Sequence, residues 1–170
     1  ICLVGSEMCI RDSNIYDLAS LTKILVSVPL LLNEFMTNDF DLTTNLSELF
    51  PDKELKNKKD LTVKQLFSHY SGMKSWIPFY KKTIDSVTNT RINKYYSNKK
   101  SQKFPFQVSD DLYIRNYNDT IFNEIINSEL SDSLSYVYSD LPYFLLKFYL
   151  EKKYQLSLDT PVSYTHLTLP

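Results

Sequence analysis

The segment "SLTKILVSVPLLLNEFM", Ser20 to Met36, places apolar side chains at Leu21, Ile24, Leu25, Val28, Leu31, Leu32, Phe35 and Met36. This spacing follows the i, i+3, i+4, i+7 pattern of a helix with one apolar face. A helix is therefore expected here, with that face turned toward a core. Pro29 removes one backbone donor from its interior and is expected to kink it, although Ser27 and close packing can absorb the change. The longest apolar run, Ile24 to Leu32, reaches about half of the roughly 20 residues that a membrane span needs. It reads as a buried helix, and no transmembrane segment is expected.

Composition narrows the function classes. The 170 residues are 43% hydrophobic and 14% aromatic, enough for one globular domain with a substantial core. Nineteen basic residues against twenty acidic ones leave a formal charge of -1, so no summed field favours nucleic acid or an anionic membrane. Only Gly5 and Gly72 are glycines, which excludes dinucleotide and P-loop motifs that need several close together. Cys2 and Cys9, both near the start, support neither a disulfide framework nor a zinc site, and no metal or cofactor is implied. The opening stretch lacks a basic region ahead of a sustained apolar run, so it does not read as a signal peptide. Residues 1–13 and 161–170 resemble translated adapter read-through and are set aside. The expected native portion is 14–160, a partial domain.

Within that portion, Thr37 to Asp52 is turn-rich and reads as a packed loop. "LTVKQLFSHYSGM" (Leu61 to Met73) carries a capping box at Thr62 and Gln65, with Leu61, Val63, Leu66 and Phe67 facing inward and Gly72 as the stop. Thr83 to Lys103 is polar and reads as a solvated loop. Phe104 to Val108 and Leu112 to Ile114 form a short hairpin around Ser109, Asp110 and Asp111, and Thr120 to Asn127 a helix. "YVYSDLPYFLLKFYLEKKY" (Tyr136 to Tyr154) passes from an extended approach into a helix capped by Ser139 or Asp140, with Pro142 in its first turn. Leu141, Phe144, Leu145 and Phe148 form its expected buried stripe.

Chemistry concentrates at few positions. Ser20 and Lys23 are three apart at a helix start, about 4.5 Å along the axis, so the amine can reach the hydroxyl. A serine in the first turn also keeps its own backbone N–H free for an oxyanion. The same S-x-x-K spacing recurs at Ser71/Lys74 and Ser97/Lys100, yet only Ser20 opens a strongly apolar helix. The other reading of Ser20 is a helix cap beside an exposed lysine. Tyr138, at the junction before the last helix, can point its phenol into a cleft or, like most of the thirteen tyrosines, simply pack.

Ser20, Lys23 and Tyr138, with "LTVKQLFSHYSGM", resemble the serine beta-lactamase and penicillin-binding-protein superfamily, particularly its class C and D-alanyl-D-alanine carboxypeptidase-like branch. "SGMKSWIPFYKKT" and "YVYSDLPYFLLK" further resemble the variant fused to family-3 glycoside hydrolases. The resemblance implies an α+β fold, an antiparallel sheet beside a helical region, here with mainly the helical part present. It implies that Ser20 attacks an acyl carbonyl, Lys23 assists its deprotonation and Tyr138 relays a proton to the leaving group. A small-molecule or peptidoglycan-related acyl substrate and a periplasmic or otherwise exported location follow from the same resemblance. The alternative is a catalytically inactive accessory or binding domain attached to a glycosidase.

Two departures stand out. The superfamily's third motif, Lys or His followed by Thr or Ser and Gly, is absent, and losing an oxyanion donor costs on the order of 10²–10³ in rate. The fragment alone is expected to be inactive and prone to aggregate through apolar surface meant for the missing sheet. Asp140 stands where many relatives have Asn and cannot donate to a substrate carbonyl. It is expected to pair with Lys23, to cap the helix, or both. Trp76 reads either as a substrate contact or as core, and His69 as structural at a helix end.

Overall fold

A computed structural model describes residues 17–37, 41–133 and 135–158. The terminal segments read as foreign, with Cys2, Cys9 and His166, lie outside the described residues. What is described is an α+β arrangement of helices around one central helix, with a small antiparallel sheet at its side.

The first helix is not uniform. A π-helical turn over Lys23–Ser27, closed by the Val28 N–H donating to the Lys23 carbonyl, leads into α1, Val28–Met36. Pro29 is the second residue of α1, so the expected disturbance is taken up as a wide turn just before the proline.

The face this helix buries differs from the one its apolar pattern predicts. Leu21, Ile24, Leu25, Leu32 and Met36 stay exposed, from 44% at Leu25 to 84% at Met36. The buried residues are Ser27, Leu30, Leu31 and Glu34, themselves at i, i+3, i+4 and i+7. Glu34 decides the orientation, because a buried carboxylate must be paired. Lys153 bridges it and the Tyr154 hydroxyl donates to it at 2.6 Å.

The turn-rich stretch after α1, expected as a packed loop, contains a short helix. It is α2, Leu46–Leu49, whose capping box joins Asn45 and Glu48. Asn45 also bridges to Thr62, the cap of α3, Val63–Phe67, so two capping boxes meet. Val63 and Leu66 in α3, and Leu61 just before its cap, are buried as expected, and Phe67 packs against the core. The helix stops before Gly72. His69, with φ of 63°, takes the left-handed position after the Ser68 cap. Gly72 serves a different need: at φ of 68° its backbone passes so close to Ser131 that a Cβ would lie 3.0 Å from that carbonyl oxygen.

The polar stretch after Thr83 is not all loop. β1, Tyr96–Ser97, lies inside it and pairs with β3, Leu112–Ile114, which also pairs with β2, Phe106–Ser109, giving the antiparallel order β1-β3-β2. The expected hairpin therefore exists, turning through Asp110 and Asp111. α4, Asn118–Asn127, starts two residues before its expected beginning. Its C-terminal carbonyls at Ile126 and Ser128 accept from the ammonium of Lys58, a fully buried lysine.

α5, Leu141–Tyr154, is the central helix and packs against α3, α4 and the π turn. Leu141, Leu145, Leu146 and Leu150 are buried, while Phe144 and Phe148 pack at the margin of the core. Among the described residues no helix is long and apolar enough to cross a membrane.

Candidate active site

Ser20 sits in a tight turn rather than in the first turn of a regular helix. Ala19 adopts a left-handed φ of 44°, and the Leu21 N–H donates to the Leu18 carbonyl at 2.8 Å. A non-glycine residue with such a φ stores on the order of 1 kcal/mol or more, and strained backbone of this kind clusters at functional sites. Lys23 opens the π turn, and its ammonium donates to the Ser20 hydroxyl oxygen at 3.4 Å.

The second half of the site arrives 117 positions later in the chain. Lys23 Nζ lies 2.6 Å from Asp140 Oδ1 and 4.9 Å from the centre of the Tyr138 ring. The Asp140 side chain is thus turned to the lysine and does not cap α5. Ser139 does that: its hydroxyl accepts from the Leu141 N–H at 3.2 Å and donates to the Lys74 carbonyl at 2.5 Å. The Asp140 N–H in turn donates to the Ser75 carbonyl at 2.8 Å. Residues 74–75 therefore hold the approach to α5 in place.

His69 completes that support. Its Nδ1 accepts from the Ser139 N–H at 3.2 Å, and its carbonyl accepts from the Val137 N–H at 3.0 Å. Its ring lies 4.6 Å from the Tyr138 ring and 5.4 Å from that of Tyr143. Burial, then the charge of Lys23, pushes its pKa below the ordinary histidine value. A neutral imidazole whose Nδ1 accepts is the state this geometry needs. His69 is a positioning residue for Tyr138.

The charges are coupled. Burial opposes the Lys23 ammonium, but hydrogen bonds from it to Asp140 and Tyr138, with their negative charge, outweigh burial and raise its pKa above the ordinary lysine value. The Tyr138 phenol moves the other way: hydrogen bonds from Lys23 and then Ser20 favour the phenolate and lower its pKa. The hydroxyl that is easiest to deprotonate by this arrangement is the tyrosine's, beside a lysine that stays charged.

A cavity of about 430 Å³ opens here, lined by Ser20, Lys23, Val26, Asp140, Tyr143 and Phe144 among others. Trp76 is not in its walls; it is exposed, one residue beyond Ser75. The other S-x-x-K pairs are not assembled in this way. Ser71 is buried, while Lys74 points to Glu129 at 3.8 Å, and the Ser97 hydroxyl donates to the Lys99 carbonyl at 3.0 Å. Among the described residues there is no group of His, Cys, Asp or Glu able to hold a metal ion.

Sequence reasoning missed the strained Ala19 and the role of His69 in orienting Tyr138. Neither carries a local signal: alanine has no turn preference of its own, and the partners of His69 lie some 70 positions away. Comparison of this chain with family models, with characterised proteins and with solved structures finds no match.

Proposed function

We propose that this chain carries the nucleophile, lysine and tyrosine of a serine acyl hydrolase of the beta-lactamase, carboxypeptidase or esterase type, working through a covalent acyl-enzyme. The observation that supports it is the meeting of Ser20, Lys23 and Tyr138 from segments far apart in sequence: the Lys23 ammonium donates to Ser20 and lies 4.9 Å from the centre of the Tyr138 ring, and Ser20 and Lys23 open onto one cavity. In this mechanism the Tyr138 phenolate takes the Ser20 proton as the serine oxygen attacks the acyl carbonyl. The same proton then passes from Tyr138 to the leaving group, and water hydrolyses the acyl-enzyme by the reverse relay. Lys23 stays charged, stabilises the phenolate and is itself held by Asp140.

The exposed apolar side of the first helix supports a further part of the proposal. In the complete protein that surface is covered by additional sheet, which also supplies the third motif. A small or peptidoglycan-related acyl substrate, export from the cytoplasm and fusion to a glycoside hydrolase belong to the same proposal.

The Lys23–Asp140 pair favours a second reading, since it keeps the lysine from acting as a base. On that reading the domain binds but does not turn over. Treating the complete protein with a fluorophosphonate or a fluorescent penicillin and mapping the adduct separates the two. A covalent adduct on Ser20, absent in Ser20→Ala, is the expected outcome. An unlabelled protein, or label on a different serine, overturns the hydrolase reading in favour of the second.

A further inference from the structure

A larger cavity, of about 760 Å³, lies between the sheet, α4 and the C-terminal end of α5. Among the described residues Lys147 is the only one lining both this cavity and the one at Ser20, so the two are neighbours with separate walls. Its volume falls within the roughly 300–1,000 Å³ that small-molecule sites occupy.

The walls are mainly aromatic and aliphatic, with Phe79, Tyr96, Phe106, Tyr117 and Ile121 contributed by four different parts of the chain. Most of the polar groups around them are already engaged within the protein. The Tyr96 hydroxyl meets the Thr83 hydroxyl at 2.8 Å. Lys147 Nζ lies 2.6 Å from Glu151 Oε2, and Glu151 Oε1 accepts from the Leu158 N–H at 3.2 Å.

Arg115 is the exception. It is half-buried at the cavity wall, directly after β3, and it forms no ion pair with any described carboxylate. Its backbone N–H is tied to the Tyr95 carbonyl at 3.0 Å, which fixes where the side chain starts. With Lys147 and Glu151 cancelling, the lining carries one uncompensated positive charge. An arginine fork presented at the edge of an apolar cavity is suited to a planar, bidentate acceptor.

We propose that this cavity is a binding site for an aromatic monocarboxylate, its ring against Phe106, Tyr96 and Phe79 and its carboxylate on the Arg115 guanidinium. Each feature selects one part of the ligand. Aromatic walls favour a flat apolar body through edge-to-face and offset stacking. A cation without a carboxylate partner among the described residues favours one negative charge, because a neutral ligand leaves it without a partner and a dianion brings a second charge that has none. The site stands independently of the hydrolase reading, since none of these residues touches Ser20.

The test uses the full chain and three probes: 2-naphthoate, the neutral 2-naphthalenemethanol, and glucuronate, which has a carboxylate but no flat apolar ring. Binding is followed by calorimetry and by tyrosine-ring NMR shifts. Naphthoate is expected to bind about tenfold or more tighter than either comparison probe, the factor a charge-assisted pair supplies. Arg115→Gln is expected to erase the preference for acid over alcohol, while Arg115→Lys retains part of it. Phe106→Ala, at an exposed wall position, is expected to weaken both naphthyl probes alike. Equal affinity for acid and alcohol, tighter binding of glucuronate, or naphthoate binding untouched by Arg115→Gln and Phe106→Ala would each overturn the site. The last of these would place the probe on the exposed side of the first helix instead.

Discussion

The first helix and α5 invite comparison because they touch, are both rich in leucine, and both carry a proline at their second α-helical position, Pro29 and Pro142. They bury opposite kinds of surface. α5 hides leucines against α3 and α4, whereas the first helix turns much of its regular apolar side outward and buries a serine and a glutamate alongside Leu30 and Leu31. Two ion pairs join the helices, Lys23–Asp140 near one end and Lys153–Glu34 near the other. In the second Glu34 is almost inaccessible while Lys153 reaches part-way to solvent, and the first opens to a cavity. One pair therefore holds the helices together, and the other is free to take part in chemistry.

Cutting the buried pair is the severest way to test this contrast. Glu34→Ala removes the acceptor of the Tyr154 hydroxyl and one partner of Lys153 from a buried position, and is expected to cost about 3–5 kcal/mol in denaturant unfolding. A loss below about 1 kcal/mol would mean that Glu34 does not orient the first helix. Next in size, Leu145→Ala in α5 should cost about 2–5 kcal/mol, whereas Leu32→Ala on the outward side of α1 should stay within about 0.5 kcal/mol. Similar costs at the two sites would show that the first helix is covered in solution.

A smaller effect is expected at the start of α5. Ser139→Ala removes the acceptor of the Leu141 N–H and the donor to Lys74, and should cost about 1–2 kcal/mol by the same unfolding assay. Tyr138 labelling or titration should change with it, because the cap also aligns the segment carrying the phenol.

Asp140→Asn is the mildest for stability, below about 1 kcal/mol, because the pair is open to solvent on the aspartate side. Its signature lies in pH dependence. The folded-state pKa of Lys23 is raised, so its contribution to stability is complete below the unfolded lysine value and is lost as pH climbs through the folded one. The folded-state pKa of Tyr138 is depressed, so its contribution appears above the unfolded tyrosine value and fades as pH falls through the folded one. Replacing Asp140 withdraws charge that supports the lysine and opposes the phenolate. Both pKa values should then move down, Lys23 toward the ordinary value and Tyr138 further from it. Carbon NMR of the Tyr138 ring and the Lys23 side chain would read this directly, and unmoved titrations would remove the coupling between the pair and the phenol.

Local signals account for much of what could be read in advance. The capping box at Thr62 and Gln65 and the turn at Asp110–Asp111 depend on neighbours within a few positions and appear where their residues indicate, whereas the expected stripe of α5 is buried at Leu141 and Leu145 but continues through Leu146 and Leu150 in place of Phe144 and Phe148. Asn45 and Glu48 carried a similar signal for α2 that turn-rich composition obscured. β1 had no such mark, because Tyr96 and Ser97 become a strand only by pairing with Ile114 and Tyr113.

For the candidate site, the residue types and the spacing of Ser20 and Lys23 were legible, and so was a pairing of Lys23 with Asp140. Trp76 lies outside the walls of the cavity at Ser20, and nothing near it in sequence tells which side of the 74–76 segment faces that cavity. By itself the sequence determined that the first helix, α3, α4 and α5 are helical and where several of them begin, and it singled out Ser20, Lys23 and Tyr138 as candidates. Only the tertiary structure decided which side of the first helix is buried and that Tyr138 lies beside Lys23. Helical period and capping are properties of a few adjacent residues, but burying a carboxylate or tuning a phenol requires partners that the fold alone brings within hydrogen-bond range.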